Sequence, residues 1–137
     1  MTAPVFVDTN IWVYALIATT DPRHGKACAW LATLDQPVIN GQVLRELGRV
    51  LLSKAEIDED RLRAILRQIQ SVCRTAPDSL EVLLSASRLR ETHRLSYWDS
   101  LIVAAAMEAG CATLYSEDMQ NGQVIGDRLA ILNPLLP

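Results

Sequence analysis

The sequence predicts an α/β domain with a small, mostly parallel central sheet flanked by helices. Short apolar, β-branched segments alternate with longer segments that have helical periodicity, and this alternation is typical of parallel strands joined by helices. The chain has 137 residues, of which 50% are hydrophobic, so it is large enough to bury one core. Since no repeat, low-complexity segment or linker interrupts the pattern, residues 1–137 are expected to form a single domain.

Two strands and two helices are predicted in residues 1–40. The segment PVFVD (4–8) is apolar and β-branched, which indicates a buried strand. A helix is expected to follow from about Asn10, and a second one, RHGKACAWLATL (23–34), should begin just after Pro22. The segment PVIN (37–40) predicts the second strand.

Two amphipathic helices are predicted next. In the first, Arg45 and Arg49 lie opposite an apolar stripe, and Glu46 lies at its edge. The stripe consists of Val43, Leu44, Leu47, Val50 and Leu51. Asp58 is expected to cap the second helix. Its apolar positions, which recur at helical spacing, are Leu62, Ile65, Leu66, Ile69, Val72 and Cys73.

A further pair of helices precedes the last strands. Asp78 and Glu81 form a D-x-x-E start for a helix that runs to about Thr92. The segment 95–107 is apolar enough to form a buried helix, which Gly110 should end. After it, CATLYSED (111–118) is expected to begin as a strand and to end in two acids, and NGQVI and RLAILNP (121–125 and 128–134) could supply one or two short final strands.

Cysteine usage and hydropathy predict a soluble, cytoplasmic protein. The three cysteines are far apart, odd in number and without a C-x-x-C pair, which argues against a disulfide framework and against a zinc site. No basic region precedes the first apolar stretch, so no signal peptide is expected. No apolar run approaches the roughly 18 residues of a membrane helix, so no membrane partner is expected.

The charge balance restricts the partners. The net charge of −3 argues against broad, non-specific binding of polyanions but is compatible with a local basic strip. Arginine outnumbers lysine, and a guanidinium group matches two phosphate oxygens at once. Most of the arginines are nevertheless interpreted as solvated faces of amphipathic helices.

One acid lies unexpectedly within an apolar helix. Asp99 belongs to LSYWDSLIVAAAM (95–107), where Ser96 could cap the helix and the acid would then favour the helix dipole. At about 100° per residue, however, Asp99 shares a stripe with Ile102 and Val103. A carboxylate on such a stripe requires a hydrogen-bond donor, a cation or a metal ion.

Further acids are predicted at the same edge of the sheet. Asp8 ends the first strand, and Glu117 and Asp118 end a later one, so in a parallel sheet they project from the carboxyl edge, where α/β sheets bind ligands. Asp99 begins the helix that leads back to that later strand, and Glu46 follows the second strand closely. Like charges held close together need a compensating cation. Oxygen ligands without nearby Cys or His favour Mg²⁺ or Mn²⁺ over Zn²⁺.

Each acid alone also has a structural explanation. Asp8 could cap the following helix, Glu46 could pair with an arginine of its own helix, and Asp118 could favour a turn. Considered one at a time, Glu46 and Asp118 are interpreted as structural residues, whereas Asp99 is interpreted as a functional residue. The predicted topology favours a joint cluster.

Four motifs resemble those of the PIN-domain family and, within it, the VapC-like toxin ribonucleases of type II toxin–antitoxin pairs. They are VDTN (7–10), LRELGRVL (44–51), YWDSLIVAAA (97–106) and LYSEDMQNG (114–122). Each motif alone is weakly specific, but together, in this order, they cover essentially the whole chain. The resemblance implies a PIN-like fold and a Mg²⁺-dependent endoribonuclease, with Mn²⁺ as a substitute ion.

The resemblance also implies site residues and partners. The acidic metal-binding and catalytic set would be Asp8, Glu46, Asp99 and Asp118. Asn10 and Ser116 match polar positions that help to shape such sites, and Glu117 is expected to share the role of the neighbouring acid. Ions held there would orient and deprotonate a water for in-line attack on an RNA phosphodiester. The implied partners are the RNA substrate, a cognate antitoxin and a second copy of the chain in a homodimer.

Two other classes of function stay open. A phosphatase with Asp8 as nucleophile is disfavoured, because haloacid-dehalogenase-like enzymes need a second Asp two positions on, where this chain has Asn10. A non-catalytic module that uses the acids to hold an ion or a basic peptide is compatible with the sequence. RNA recognition depends on loop shape and exposed bases, so no motif specifies a target.

Overall fold

A sheet of six strands forms the centre of the computed structural model, which describes residues 3–17 and 20–137. The strands are β1 (Val5–Val7), β2 (Val38–Asn40), β3 (Arg74–Ala76), β4 (Thr113–Tyr115), β5 (Val124–Ile125) and β6 (Leu129–Leu132). The helices of these ranges are α1 (Thr9–Leu16), α2 (Arg23–Leu31), α3 (Gly41–Ser53), α4 (Glu59–Val72), α5 (Leu80–Thr92) and α6 (Tyr97–Glu108). Within the ranges described, no helix has the length and apolarity needed to cross a membrane.

The sheet has the order β3-β2-β1-β4-β6-β5. All neighbouring strands are parallel except β5 and β6. In the middle of the sheet, Val7 at the end of β1 is in register with Tyr115 at the end of β4. The observed fold confirms the predicted α/β class, and it brings the carboxyl ends of β1, β2 and β4 to one edge.

The core covers both faces of the sheet. Consecutive residues of β1 and β2 are buried, which requires apolar cover on each side because successive side chains point to opposite faces. In α6, every residue from Ser100 to Ala106 except Leu101 is buried. The three alanines at 104–106 allow close packing. This agrees with the prediction of a buried helix that contains Asp99.

Local sequence signals fix the ends of α6 and the start of α4. The Oγ of Ser96 accepts a hydrogen bond from the backbone N–H of Asp99 at 3.1 Å, which is the predicted cap. Gly110 follows the helix with φ of +77°, a left-handed conformation that favours glycine. At α4, Asp58 accepts from the N–H of Arg61 at 2.8 Å, also as predicted.

The predicted start of α5 is wrong by one residue. The cap is Ser79, whose Oγ accepts a hydrogen bond from the N–H of Val82 at 3.4 Å. Asp78, the predicted cap, lies outside the helix, and its Oδ2 is 3.7 Å from Nη2 of Arg45. Serine and aspartate are nearly equivalent caps, so the local sequence alone does not decide between adjacent candidates.

Three other differences have simple physical causes. The sequence pattern does not predict β3, because this edge strand is short and only Ala76 is buried. Val72, placed on the apolar stripe of α4, is 52% exposed at the last position of the helix. Finally, α2 ends at Leu31, three residues before the predicted end, and there the Oγ1 of Thr33 donates to the carbonyl of Trp30 at 2.6 Å.

Candidate functional site

Asp8 lies at the carboxyl end of the central strand. Its backbone N–H donates to the carbonyl of Tyr115 at 2.9 Å, which extends the pairing of β1 with β4 by one residue. The side chain is 6% exposed. Its Oδ1 accepts from the N–H of Thr9 at 2.8 Å and caps α1, while its Oδ2 accepts from the Oγ of Ser116 at 2.9 Å. The cap and the candidate site therefore use the same carboxylate.

Ser116 and Asn10 connect Asp8 to the second acid of the edge, Asp118. The fully buried Oγ of Ser116 donates to Asp8 and accepts from the N–H of Asp118 at 3.3 Å. Asn10 Nδ2 donates to both carboxylate oxygens of Asp118, each at 2.8 Å. Both polar residues named from the sequence thus contact the acids directly.

Glu46 approaches the same edge from the second turn of α3. Its Oε2 accepts from the Oγ1 of Thr9 at 3.0 Å, and its Oε1 accepts from Nε2 of Gln42 at 3.5 Å. Since Thr9 directly follows Asp8, this contact joins the helix after β2 to the end of β1. Glu46 is half-buried, as expected for a residue at the edge of the apolar stripe.

Asp99 is held in the first turn of α6. Ser96 caps that turn, and Nη1 of Arg90 on α5 donates to the Oγ of Ser100 at 2.7 Å, which ties the start of α6 to its neighbouring helix. Asp99 is half-buried. Its negative charge contributes to the raised pKa of Asp118, which means that the two carboxylates repel each other at the sheet edge.

Burial and mutual repulsion perturb two of these acids. The pKa of Asp8 is raised to about 6: burial is the largest cause, the hydrogen bonds from Thr9 and Ser116 lower the pKa, and the charges of Asp118 and Glu46 raise it. The pKa of Asp118 is also raised, first by burial and then by nearby carboxylates, of which Asp99 has the largest effect. In the described ranges, no Lys, Arg or His forms a salt bridge with any of the four predicted acids. Their negative charge is therefore not compensated by a paired cationic side chain.

Glu117 is the exception among the predicted site residues. Its Oε1 accepts from the hydroxyl of Tyr14 at 2.5 Å, and its Oε2 accepts from Nη1 of Arg23 at 3.1 Å. The same Arg23 pairs with Asp21 and lies over the ring of Tyr14, 4.1 Å from its centroid. Glu117 is thus held by a cation and a phenol, whereas its neighbour Asp118 is held by a neutral amide.

The chemistry of the four acids fits a hard divalent cation, although their side chains do not form a closed coordination shell. In the part of the chain that the structure describes, no three Asp, Glu, His or Cys side chains stand close enough together to hold a metal ion as they lie. The donors are all carboxylate oxygens. The pKa values of Asp8 and Asp118 are raised first by burial and then by neighbouring negative charge, and a cation would relieve that repulsion. An ion held by one or two of these carboxylates would complete its coordination with water, as Mg²⁺ commonly does.

Two residues that contact the acids are not evident from sequence reasoning. Thr9 follows Asp8 in the VDTN motif, and this adjacency is the sequence signal that could have identified it; its contact with Glu46 is visible only in the fold. Gln42 lies four residues before Glu46, a spacing that places both on one helix face. Gln42 also donates to the carbonyl of Trp98 at 3.3 Å, which the sequence does not reveal because the residues are 56 positions apart.

Comparison with known proteins identifies a family and several similar folds. The family model described as "PIN domain" matches residues 5–121. A search of curated protein sequences finds no significant match. The Mycobacterium tuberculosis toxin VapC20, described as cleaving the sarcin–ricin loop, has a similar structure with a TM-score of 0.68 and 23% identity; the alignment covers 83% of this chain and 89% of that one.

Two structures of toxin–antitoxin complexes contain chains that are similar to this chain over nearly its whole length. A chain of a toxin–antitoxin complex from Klebsiella pneumoniae has a TM-score of 0.69 and 20% identity, covering 96% of this chain and 97% of that one. A chain of Rickettsia felis VapBC2 bound to promoter DNA has a TM-score of 0.65 and 21% identity, covering 94% and 97%. At these identities the likeness concerns the fold.

Proposed function

This chain belongs to the PIN domain family, and on that premise we propose that it is a Mg²⁺-dependent endoribonuclease. The observation that carries the proposal is the meeting of Asp8, Glu46, Asp99 and Asp118 at one sheet edge without a cationic partner among the described residues. Four acids brought this close together for a purely structural reason would be expected to pair with Lys or Arg, above all at the buried Asp8. This set instead favours an exogenous cation.

The proposed catalytic roles follow from what each side chain contacts. Asp8, Glu46, Asp99 and Asp118 would hold the ion, and Mn²⁺ would be an alternative to Mg²⁺ because both prefer oxygen ligands. A bound ion would lower the pKa of a water and stabilise negative charge on the phosphoryl and leaving oxygens. We leave Glu117 outside this set, because Tyr14 and Arg23 occupy its two oxygens.

Three neutral residues would orient the acids. Ser116 donates to Asp8, Asn10 donates to Asp118, and Thr9 donates to Glu46. Hydrogen bonds of this kind fix the direction of a carboxylate and favour its charged form. We propose that they preorganise the acids for the ion and for in-line attack of water on a phosphodiester.

We further propose that the nuclease is the toxin of a type II toxin–antitoxin pair and acts as a homodimer. Support comes from the Klebsiella and Rickettsia structures, which are toxin–antitoxin assemblies of similar fold. A cognate antitoxin would then block the acidic site. A small DNA-binding protein encoded beside this gene is expected for a toxin, whereas its absence would favour a housekeeping nuclease.

The nuclease proposal is tested with purified protein freed of any co-purifying antitoxin. End-labelled total RNA is incubated with it in Mg²⁺, in Mn²⁺ or in EDTA. Cleavage is expected in the presence of either Mg²⁺ or Mn²⁺ but not in EDTA. The RNA products should carry 5′-phosphate and 3′-hydroxyl ends. Ion binding by calorimetry without cleavage of any RNA would favour the non-catalytic binding module, and absence of both would overturn the metal site.

Thr9→Val is expected to lower kcat/KM about 10-fold and to raise the Mg²⁺ concentration needed for half-maximal activity. The substitution removes the donor to Glu46 but keeps the shape of the side chain, and loss of a contact that orients a metal ligand typically costs about 10- to 100-fold. Cleavage is measured over a Mg²⁺ titration.

The matched control is Thr9→Ser, which keeps the hydroxyl and should retain most of the activity. Equal defects in both variants would show that the methyl group or the local packing, rather than the bond to Glu46, is what matters at position 9.

A further inference from the structure

A pocket of about 430 Å³ opens beside the acidic site. It is lined by Gln42, Arg45, Glu46, Arg49 and Trp98. Glu46 belongs to both the pocket and the proposed ion site, and Trp98 directly precedes Asp99 in the chain. Any group bound in this pocket would therefore be next to the reacting phosphate of the proposed reaction.

The wall of the pocket contains a large exposed aromatic surface. Trp98 is 61% exposed, whereas Trp12 is only 7% exposed and belongs to the core. Gln42 donates to the carbonyl of Trp98, and the ring of Tyr97 packs edge-on against the indole with centroids 5.1 Å apart. Arg90 in turn lies over Tyr97, 4.9 Å from its centroid. Trp98 is thus supported by its neighbours, yet a wide face of the side chain contacts water.

Two guanidinium groups of α3 face the same pocket. Among the described residues, Arg49 is in no salt bridge, and the one ion pair of Arg45 is a 3.7 Å contact with Asp78 in which both side chains are mostly exposed. An exposed pair of that length contributes little and is easily exchanged. Both guanidinium groups are therefore available to an anion, and they match the oxygens of a phosphate.

We propose that this pocket binds one unpaired nucleotide of the RNA, next to the cleaved bond. The base stacks on Trp98, and its phosphate contacts Arg49 and Arg45. The inference rests on the proposed nuclease function and assigns to it a subsite, formed by Trp98, Arg45 and Arg49, for the nucleotide beside the cleaved bond. Proteins read single-stranded RNA by stacking splayed bases on aromatic side chains and by binding the backbone with basic ones, and this pocket combines both groups.

The test measures binding separately from cleavage. A fluorescently labelled single-stranded RNA oligonucleotide is titrated with the protein in EDTA, where no cleavage is expected, while anisotropy is followed. Trp98→Ala is expected to weaken binding about 5- to 150-fold, the range that corresponds to the loss of one base–aromatic stack. Trp98→Phe, which keeps an aromatic face, should lose only a few-fold. A strand of abasic nucleotides should bind wild type and Trp98→Ala equally weakly.

The arginines are tested by salt dependence. Arg49→Ala should weaken binding and reduce the slope of log Kd against log salt by about 0.7, the value for one phosphate contact to a single strand. Arg67→Ala on α4 is the matched control, since Arg67 is exposed and does not line the pocket. The control should leave affinity and slope unchanged.

Several results would overturn the inference without touching the nuclease proposal. The first is that Trp98→Ala binds RNA as tightly as wild type. The second is that Trp98→Phe loses as much RNA affinity as Trp98→Ala, which would indicate a structural role for the side chain. A third is loss of antitoxin binding in Trp98→Ala with RNA affinity unchanged, which would assign the surface to a protein partner. Conversely, a wild-type protein that binds the strand through Trp98 but never cleaves RNA supports the pocket and contradicts the nuclease.

Discussion

Asp99→Asn is expected to lower RNA cleavage at saturating Mg²⁺ by about 100- to 1000-fold, which corresponds to a loss of several kcal/mol of transition-state stabilisation. The change removes a charge and leaves the shape of the side chain and the Ser96 cap intact, because the cap bonds to the backbone N–H of residue 99. Single-turnover cleavage of end-labelled RNA over a Mg²⁺ titration measures both the rate and the ion requirement.

The matched control is Asp60→Asn, an exposed acid in the first turn of α4. Both acids interact with the dipole of a helix N-terminus, which is worth about 0.3–1 kcal/mol at the surface. If Asp99 only served its helix, the two variants would show similar small losses of stability and normal cleavage. Wild-type cleavage with an unchanged Mg²⁺ requirement in Asp99→Asn would remove it from the ion site.

The part of this site that could be predicted depends on sheet topology. Asp8 and Asp118 follow strands whose periodicity is readable from the sequence, and parallel neighbours must end at the same edge. Asp99 and Glu46 could be placed because each lies near the start of a helix that begins at that edge. Strand order alone thus brought together acids that are more than 100 residues apart in the chain.

Side-chain pairing could not be predicted in the same way. The prediction that Glu117 shares the role of its neighbour is based on adjacency, but the folded chain brings Tyr14 and Arg23 to its carboxylate from α1 and the start of α2. Likewise, Trp98 lies within an apolar motif that suggests burial, and its 61% exposure depends on which face of α6 is covered by other elements. Such contacts are set by tertiary packing, on which local periodicity carries no information.

Asp8→Asn is expected to stabilise the protein at pH 8 in EDTA while abolishing cleavage. The folded-state pKa of Asp8 is about 6, against about 3.8 when unfolded, so between these values the folded state binds more protons than the unfolded state. Stability from this group is therefore complete below about pH 3.8 and is lost as the pH rises through 6. The shift corresponds to roughly 3 kcal/mol, an upper estimate of what a neutral side chain restores.

Asparagine is the informative replacement because it also caps helices well, so α1 should keep its N-terminal hydrogen bond. Urea unfolding of both proteins is compared at pH 4 and at pH 8. Subtracting the two free energies of unfolding removes the titration of groups that do not interact with Asp8, and leaves that of Asp8 together with the acids coupled to it, Asp118 and Glu46. A difference that grows with pH supports the raised pKa, whereas a variant less stable at pH 8 would show that the charged carboxylate is satisfied by Thr9 and Ser116 alone.

Adding Mg²⁺ at pH 8 then connects this stability cost to the proposed function. An ion bound by the folded state alone raises the free energy of unfolding with its concentration. Wild type should gain stability from millimolar Mg²⁺, and Asp8→Asn, which lacks one charged ligand, should gain much less. Equal gains in the free energy of unfolding of both proteins would mean that the ion binds elsewhere. The unpaired acids around Asp8 would then need an explanation other than an ion-binding site.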